Sequence, residues 1–368
     1  MPYCKTKILL IGIYDTNSVT LAPHILISYA KGFNISEYFE FQAVEFSIFT
    51  NTVDQIKDEI SRTKPDIIGF SAYVWNIQII LQVIQEKFNC KIILGGPQVT
   101  GIENKLFKEN PNIDIIVSGE GEKTFLNLLY YFKGEKELAE IPGIATKDIA
   151  NPNDEDLIEL NRIPSIYKEL LKKNPGISWL SFETSRGCPF NCGYCVWSSN
   201  KKMRYYSIDR VISELDIILK APNIKEIYFC DSSLLLNQSR ALAILNCIYE
   251  SDSNKVIRFE FNAEHLDDAL IEVMRKIPKM EYNFGLQTIN PEALRIIGRK
   301  FNQDKFENNY RKFVEHKCDI TIDLIYGLPG DNYVGYKKSL EYALHLKGVK
   351  RILTNPLIVL PGSRFIEI

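Results

Sequence analysis

From Lys7 onward the chain alternates short β-rich runs with longer helical stretches, and it does so twice, which leaves few architectures other than layered parallel β/α units. In the first half, residues 8–13, 41–46, 66–71, 91–94 and 113–117 read as strands. Residues 23–31, 53–62, 77–88, 102–110 and 122–132 read as the helices between them. Five strands with intervening helices predict a doubly wound α/β domain over residues 1–140. Residues 141–176 hold several prolines, the acidic run Asp154-Glu155-Asp156 and no clear period; they read as a linker with a short strand, with Ile163-Pro164 at its end. A second run starts at Ile177, with strands at 177–183, 226–230, 258–262, 282–287, 320–325 and 351–354, the last extending toward 358. Its helices are 208–219, 238–250, 267–275, 291–297, 304–316 and 333–347. Six repeats predict a partial (β/α)6 TIM-type barrel over 177–368, although spacing alone leaves an open sheet as the alternative.

At ~150 residues per domain, 368 residues suggest two or three domains. Apolar residues at 45% and charged residues at 24% exclude a disordered or low-complexity chain. With 44 basic against 46 acidic residues, no global field draws the chain to nucleic acid or an anionic membrane. The apolar runs, such as 67–70 and 92–94, fall far short of the ~20 residues of a membrane span. The start, Met-Pro-Tyr-Cys-Lys, lacks the features of a secretory signal, so a cytoplasmic location is expected.

Ligands of doubly wound sheets bind beyond the carboxyl ends of the strands. The loops expected there are residues 14–20, Ser71-Ala72-Tyr73-Val74-Trp75-Asn76, Gly95-Gly96-Pro97 and Gly119-Glu120-Gly121-Glu122. Such loops admit close approach of backbone to a bulky ligand, and they also make tight turns, so each alone carries both readings. A sharper feature follows the first strand of the second run: Cys188-Pro-Phe-Asn-Cys192-Gly-Tyr-Cys195. Three thiolates in one loop can hold three irons of a cubane and leave the fourth open. A structural zinc site would want a fourth ligand nearby, and the next cysteine, Cys230, lies on another strand. Cys4, Cys90, Cys247 and Cys318 read as ordinary buried or terminal thiols.

Cys-x-x-x-Cys-x-x-Cys with Tyr194 before its last cysteine, in the loop after a first barrel strand, resembles the signature of the radical S-adenosylmethionine (SAM) superfamily. The resemblance implies that Cys188, Cys192 and Cys195 ligate a [4Fe-4S] cluster whose open iron chelates SAM. One electron, from a donor such as flavodoxin or ferredoxin, would then cleave SAM to a 5′-deoxyadenosyl radical. Gly187 and Gly193 would let the backbone wrap the cluster with amides toward the sulfurs. Motifs at the following strand ends resemble SAM-site motifs of the same superfamily. Asp231, in Cys230-Asp231-Ser232-Ser233, is expected at the amino group, and Asn262 and Glu264 at the ribose. Gln287 lies in Gly285-Leu286-Gln287-Thr288, and Asp323 precedes Gly327-Leu328-Pro329-Gly330. Leu360, in Leu360-Pro361-Gly362, is expected to meet adenine through backbone. Asp231 and Glu264 also suit helix capping, and Gln287 a polar layer inside the barrel.

The first domain resembles the cobalamin-binding class of that superfamily, in which a Rossmann-like cobalamin-binding domain precedes the barrel. The residues that carry the likeness are Pro65 to Ser71, Gly95-Gly96-Pro97 and Gly119-Glu120-Gly121-Glu122. Within the class the chain is most similar to an uncharacterised bacterial subgroup marked by a Ser-x-Tyr-x-Trp-Asn loop, here Ser71 to Asn76, a likeness that implies no substrate. The implied cobalamin contacts are Ser71, Tyr73, Trp75, Gly95, Gly96, Pro97, Gly119, Glu120 and Gly121. Cobalamin mutases carry Asp-x-His-x-x-Gly after the first strand, whereas this loop reads Tyr14-Asp15-Thr16-Asn17-Ser18. The only nearby imidazole, His24, reads as a helix-start surface residue, so the lower face of the corrin is expected to be water-ligated, blocked by a side chain or empty. Tyr73, Trp75 and Trp197 suit stacking on corrin or substrate as well as core packing. His265, His316 and His345 read as isolated surface or loop residues.

The reaction this resemblance implies is methylation of an unactivated carbon. One SAM would methylate cob(I)alamin, a second would give the radical that abstracts hydrogen from substrate, and the carbon radical would take the methyl group. Two readings stand beside it: a radical SAM cyclisation or rearrangement in which the first domain does not use cobalamin, and a non-catalytic iron-sulfur redox protein. Relatives usually continue past the sixth strand into a region that closes the barrel. An end at Ile368 is therefore expected to leave a wide mouth, or to mark a fragment or a need for a partner. A peptide, a lipid or a secondary metabolite is the expected substrate.

Overall fold

The computed structural model describes residues 4–15, 18–154, 156–314 and 319–367; Thr16 and Asn17 of the first βα loop, His316 and Cys318 lie outside the described residues. Two compact units emerge, Met1–Asn174 with Leu360–Gly362, and Pro175–Val359 with Ser363–Ile368.

The first unit runs β1 (Thr6–Tyr14), α1 (Leu21–Lys31), β2 (Phe39–Ser47), α2 (Val53–Thr63), β3 (Ile67–Ser71), α3 (Ile77–Ile84), β4 (Lys91–Gly95), α4 (Glu103–Glu109), β5 (Ile115–Val117), α5 (Gly121–Phe132), β6 (Ile144–Ala145) and α6 (Tyr167–Lys173). Its sheet has the order β2-β1-β3-β4-β5-β6, parallel except for β6, so the winding reverses between β1 and β3. Helices α1 and α5 pack together. Helices α2, α3 and α4 share the core with Leu9, Ile11, Ile68 and Leu94. With both faces covered, β1 buries six consecutive residues, Ile8 to Ile13, and its sequence reads as an unbroken apolar run. Helix α2 starts in a capping box, the Thr52 hydroxyl accepting from Gln55 N and the Gln55 side chain from Thr52 N.

Two elements differ from the sequence expectation. Helix α3 stops at Ile84 rather than running to residue 88; Asn112 donates to the carbonyls of Ile84 and Gln85 at 2.8 and 3.3 Å, meeting the orphan acceptors of a helix end. The stretch expected as a linker packs onto the first unit through β6 and α6, with Ile141, Ile144, Leu160, Ile163 and Leu170 buried. Those aliphatic residues are irregularly spaced, so no period announces the packing.

The second unit contains β7 (Trp179–Phe182), β8 (Ser185–Arg186), β9 (Arg204–Tyr205), α7 (Ile208–Lys220), β10 (Glu226–Phe229), α8 (Gln238–Glu250), β11 (Val256–Phe261), α9 (Asp268–Lys276), β12 (Met280–Gln287), α10 (Pro291–Ile297), α11 (Gln303–Val314), β13 (Asp319–Tyr326), α12 (Tyr333–His345) and β14 (Val349–Pro356). Six strands pair in parallel in the chain order β7-β10-β11-β12-β13-β14, with no reversal. This is the arc of a partial barrel, covered by helices on one side. Strand β11 alternates half-buried Val256, Arg258 and Glu260 with buried Ile257, Phe259 and Phe261. The buried set forms an aromatic row, with ring centroids 5.4 Å apart for Phe182 and Phe229 and 6.2 Å for Phe229 and Phe259. The opposite, polar side faces the arc's interior.

Candidate active site

Beyond β7 the chain passes through Glu183 and Thr184 into β8, which pairs antiparallel with β9. That two-stranded ribbon closes the neck of a loop, and the loop carries the three cysteines. Cys188 and Cys192 are buried, Cys195 is half-buried, and none of the three is in a disulfide. Gly187 has φ 94°, and a Cβ there would collide with the Lys202 carbonyl, so only glycine serves. Cys188 N donates to Asn200 O at 2.8 Å. The amide of Gly193 donates to Ile297 O at 2.8 Å, so it faces the end of α10 rather than a sulfur, contrary to expectation. Phe190 stacks on His265 at 5.1 Å, and Lys201 donates to Phe190 O at 3.0 Å and to the Asn191 side chain at 2.7 Å. His265 is therefore part of the loop's support, and burial, aided by Lys305 and Arg299, lowers its pKa. Tyr194 packs against Ala293, Ile297, Leu328 and Phe365; burial drives its phenol well above the usual range.

Among the described residues no group of three or more His, Cys, Asp or Glu side chains converges as a site for a single ion.

The residues expected at the other strand ends fall into two groups. Asp231, after β10, is buried and accepts from Thr184 N at 3.2 Å, from Thr184 Oγ1 at 2.9 Å and from the Ser185 hydroxyl. Burial pushes its pKa up to about 6 against the opposing pull of those bonds. Asn262 Oδ1 and Gly285 O both accept from Arg299, and Glu264 accepts from Asn302 N. Gln287 sits at φ 67° beside a register shift between β12 and β13, a conformation costly for a residue with a Cβ. Asp323 belongs to an interior layer with Tyr228, Glu260 and Asn283. Asn283 donates to Glu260 at 3.4 Å, and Asp323 Oδ1 has no hydrogen-bond partner among the described residues. Burial, then the neighbouring Asp323, raises Glu260 to about 7; burial raises Asp323 to about 6. The pair therefore retains a proton near neutrality. Leu360 groups with the first unit, where Gly362 approaches Thr100 and Gly101.

Sequence reasoning passed over Glu260, Arg299, Thr184 and Arg240. Glu260 had a signal, since it shares the period-2 polar face with Arg258 and Asn262. Arg299 had none.

In the first unit every expected cobalamin residue lies at or next to the carboxyl ends of β3, β4 and β5. Ser71 and Gly95 end their strands in register, and Gly96, at φ 109°, presses on Ala72 with no room for a Cβ. Tyr73 and Trp75 stack at 4.5 Å and 5°, Trp75 remaining 40% exposed. Trp75 Nε1 donates to Ile13 O at 3.2 Å, which fixes the indole at the reversal between β1 and β3. Glu120 precedes α5 as its N-cap residue, and Gly119, at φ 81°, lies against Asn153. His24 is paired with Glu45 at 3.2 Å.

A model of the Radical SAM superfamily matches residues 182–343, and one of the B12 binding domain matches residues 30–129. The "Uncharacterized methyltransferase PH0819" of Pyrococcus horikoshii is 31% identical over 334 residues, 86% of this chain and 72% of that protein. The chain belongs to the radical SAM superfamily, in its cobalamin-binding class. Another relative of this radical SAM chain is the "Cobalamin-dependent radical SAM methyltransferase TokK" of Streptomyces tokunonensis, 22% identical over 97% of the chain but only 56% of that protein. Among solved structures, TsrM from Kitasatospora setae, a radical S-adenosylmethionine methyltransferase with cobalamin and [4Fe-4S] cluster bound, superposes with a TM-score of 0.78 at 15% identity. The match covers 98% of this chain and 74% of TsrM. The two matched family models imply SAM with its [4Fe-4S] cluster for the second unit and cobalamin for the first, and radical SAM enzymes need a reductant and a substrate.

The residues present fit these groups. Three cysteines outside any disulfide on one clamped loop are the donor set a cluster with one open iron needs, and Asp323 Oδ1, with no hydrogen-bond partner among the described residues, offers an acceptor inside the arc. No helix among the described residues is long and apolar enough to cross a membrane.

Proposed function

We propose that the chain is a cobalamin-dependent radical SAM methyltransferase acting on an unactivated carbon. The observation that carries the reading is the pairing, in one chain, of a clamped three-cysteine loop on a polar-lined parallel arc with a doubly wound unit that presents an aromatic pair at its switch point. The two relatives and the structural neighbour, all named as methyltransferases, support it.

When bound, the cluster and SAM supply a 5′-deoxyadenosyl radical and cobalamin a transferable methyl group. Cys188, Cys192 and Cys195 would hold three irons. The Glu260–Asp323 pair holds a proton and offers oxygens to hydroxyl groups, with Asn262, Glu264 and Gln287 at neighbouring strand ends. Arg299 brings a guanidinium to the ends of β11 and β12, complementary to a carboxylate. Ser71, Gly95, Gly96 and Pro97, with Gly119, Glu120 and Gly121, would hold the cobalamin tail, and Tyr73 with Trp75 would give the corrin an aromatic platform. A peptide, lipid or secondary metabolite is the substrate class, flavodoxin or ferredoxin the electron donor, and the cytoplasm the location.

The test is corrinoid content by absorbance and mass spectrometry, after anaerobic purification with cobalamin supplied and the cluster reconstituted. Near one corrinoid per chain is expected. None, with 5′-deoxyadenosine still formed on reduction, would leave a radical enzyme whose first unit has another role.

A further inference from the structure

Asp231 and Ser232 stand at the end of β10, one strand away from the cysteine loop, and both side chains reach back to the segment that leads into it. The Asp231 carboxylate accepts from Thr184 N, Thr184 Oγ1 and the Ser185 hydroxyl. Ser232 donates its hydroxyl to Gly187 O, the residue immediately before Cys188. The carbonyl of Thr184 is taken as well, by Arg240 Nη2 at 3.0 Å and Tyr206 N at 3.1 Å. Thr184 is therefore held at all of its polar atoms, and Thr184, Ser185 and Asp231 are all buried. A carboxylate offers about four lone-pair sites, and three of Asp231's are engaged within the protein.

We propose that Asp231 and Ser232 form a positioning pair that sets the cysteine loop on the arc, Asp231 acting through Thr184 and Ser185 rather than by contact with SAM. The inference rests on the cluster-binding reading above, and it revises the expectation that Asp231 holds the amino group of SAM. A buried carboxylate that has lost one of its donors keeps its desolvation cost without the compensating bond, so each partner of the network is needed to hold the others.

The experiment uses the full chain, reconstituted anaerobically, with Asp231→Asn, Thr184→Val and the double variant. Iron and sulfide per chain and the electron paramagnetic resonance spectrum of the reduced cluster are read without SAM and with it. Asp231→Asn keeps the shape but puts an NH2 in place of one carboxylate oxygen, so either Thr184 N loses its acceptor or the Thr184 and Ser185 hydroxyls must turn from donors into acceptors; about 10-fold weaker cluster retention is expected, with an altered spectrum in the absence of SAM. Thr184→Val, which removes only the hydroxyl, should show the same change in smaller measure, and the double variant should be no worse than Asp231→Asn alone. Thr184→Ser should restore the wild-type spectrum. Wild-type cluster content and spectrum in Asp231→Asn, with only SAM affinity lowered, would overturn the positioning role and return Asp231 to the cofactor. A wild-type chain that takes up no cluster would instead overturn the functional reading itself.

Discussion

The two sheets of this molecule use parallel strands in opposite ways. In the first, β1, β3, β4 and β5 are buried on both faces, and polar chemistry is confined to loops at the strand ends. In the second, β7, β10, β11 and β12 alternate buried with half-buried residues, and the interior side carries Tyr228, Glu260, Asn283 and Asp323. The difference follows from winding. A sheet whose order reverses receives helices on both sides, whereas a sheet that advances in one direction receives them on one and keeps a face for ligands. A doubly wound unit can offer a cofactor only a rim; the arc offers a chamber.

The strongest way to separate the two regions is Cys192→Ala. It should reduce iron content and 5′-deoxyadenosine formation to background while leaving the first unit folded, because that unit has its own core. Unchanged 5′-deoxyadenosine in an assay of product against time would break the site assignment. Next comes Phe284→Ala, fully buried beside Phe261, Phe306, Tyr310 and Phe313. A loss of about 3–5 kcal/mol is expected in the second unit's unfolding transition, with the first unit's transition unmoved.

The polar chamber predicts a pH effect that the apolar sheet lacks. Burial holds Glu260 at about 7 and Asp323 at about 6, above the roughly pH 4 at which unfolded carboxyls titrate. Their protonated forms therefore favour folding, and this contribution is complete below about pH 4 and is lost as pH rises through about 7. Glu260→Gln should flatten the pH dependence of the second unit's stability by about 3 kcal/mol between pH 4 and pH 8. Denaturant melts across that range would show it, and an unchanged slope would remove the pair from the argument. The smallest effect is expected from Trp75→Phe, which keeps the ring against Tyr73 and deletes the donor to Ile13 O. A loss of about 1 kcal/mol in the first unit is expected, with reduced corrinoid retention on gel filtration.

Much of this was legible before any coordinates. The continuous apolar runs of the first half and the alternation in Val256–Phe261 already distinguish strands covered twice from strands covered once. The cysteine triplet, being eight residues of one loop, needed no tertiary information to be found. The stretch after residue 141 was less readable: its buried Ile141, Ile144, Leu160, Ile163 and Leu170 follow neither a period of 2 nor of 3.6, so their packing on the first unit left no local trace.

The amino-acid order by itself determined the two β/α units, the cluster loop and the glycine-bearing rims, because each is encoded within a dozen neighbouring residues. Tertiary structure alone decided what the isolated side chains do. Arg299 reaches Asn262 and Gly285, 37 and 14 positions away, and Asp231 closes on Thr184 and Ser185 across 47 and 46. A carboxylate at a strand end looks the same in sequence whether it faces a cofactor or its own backbone. Only the fold, by bringing the end of β10 against the segment after β7, assigned its oxygens to the loop.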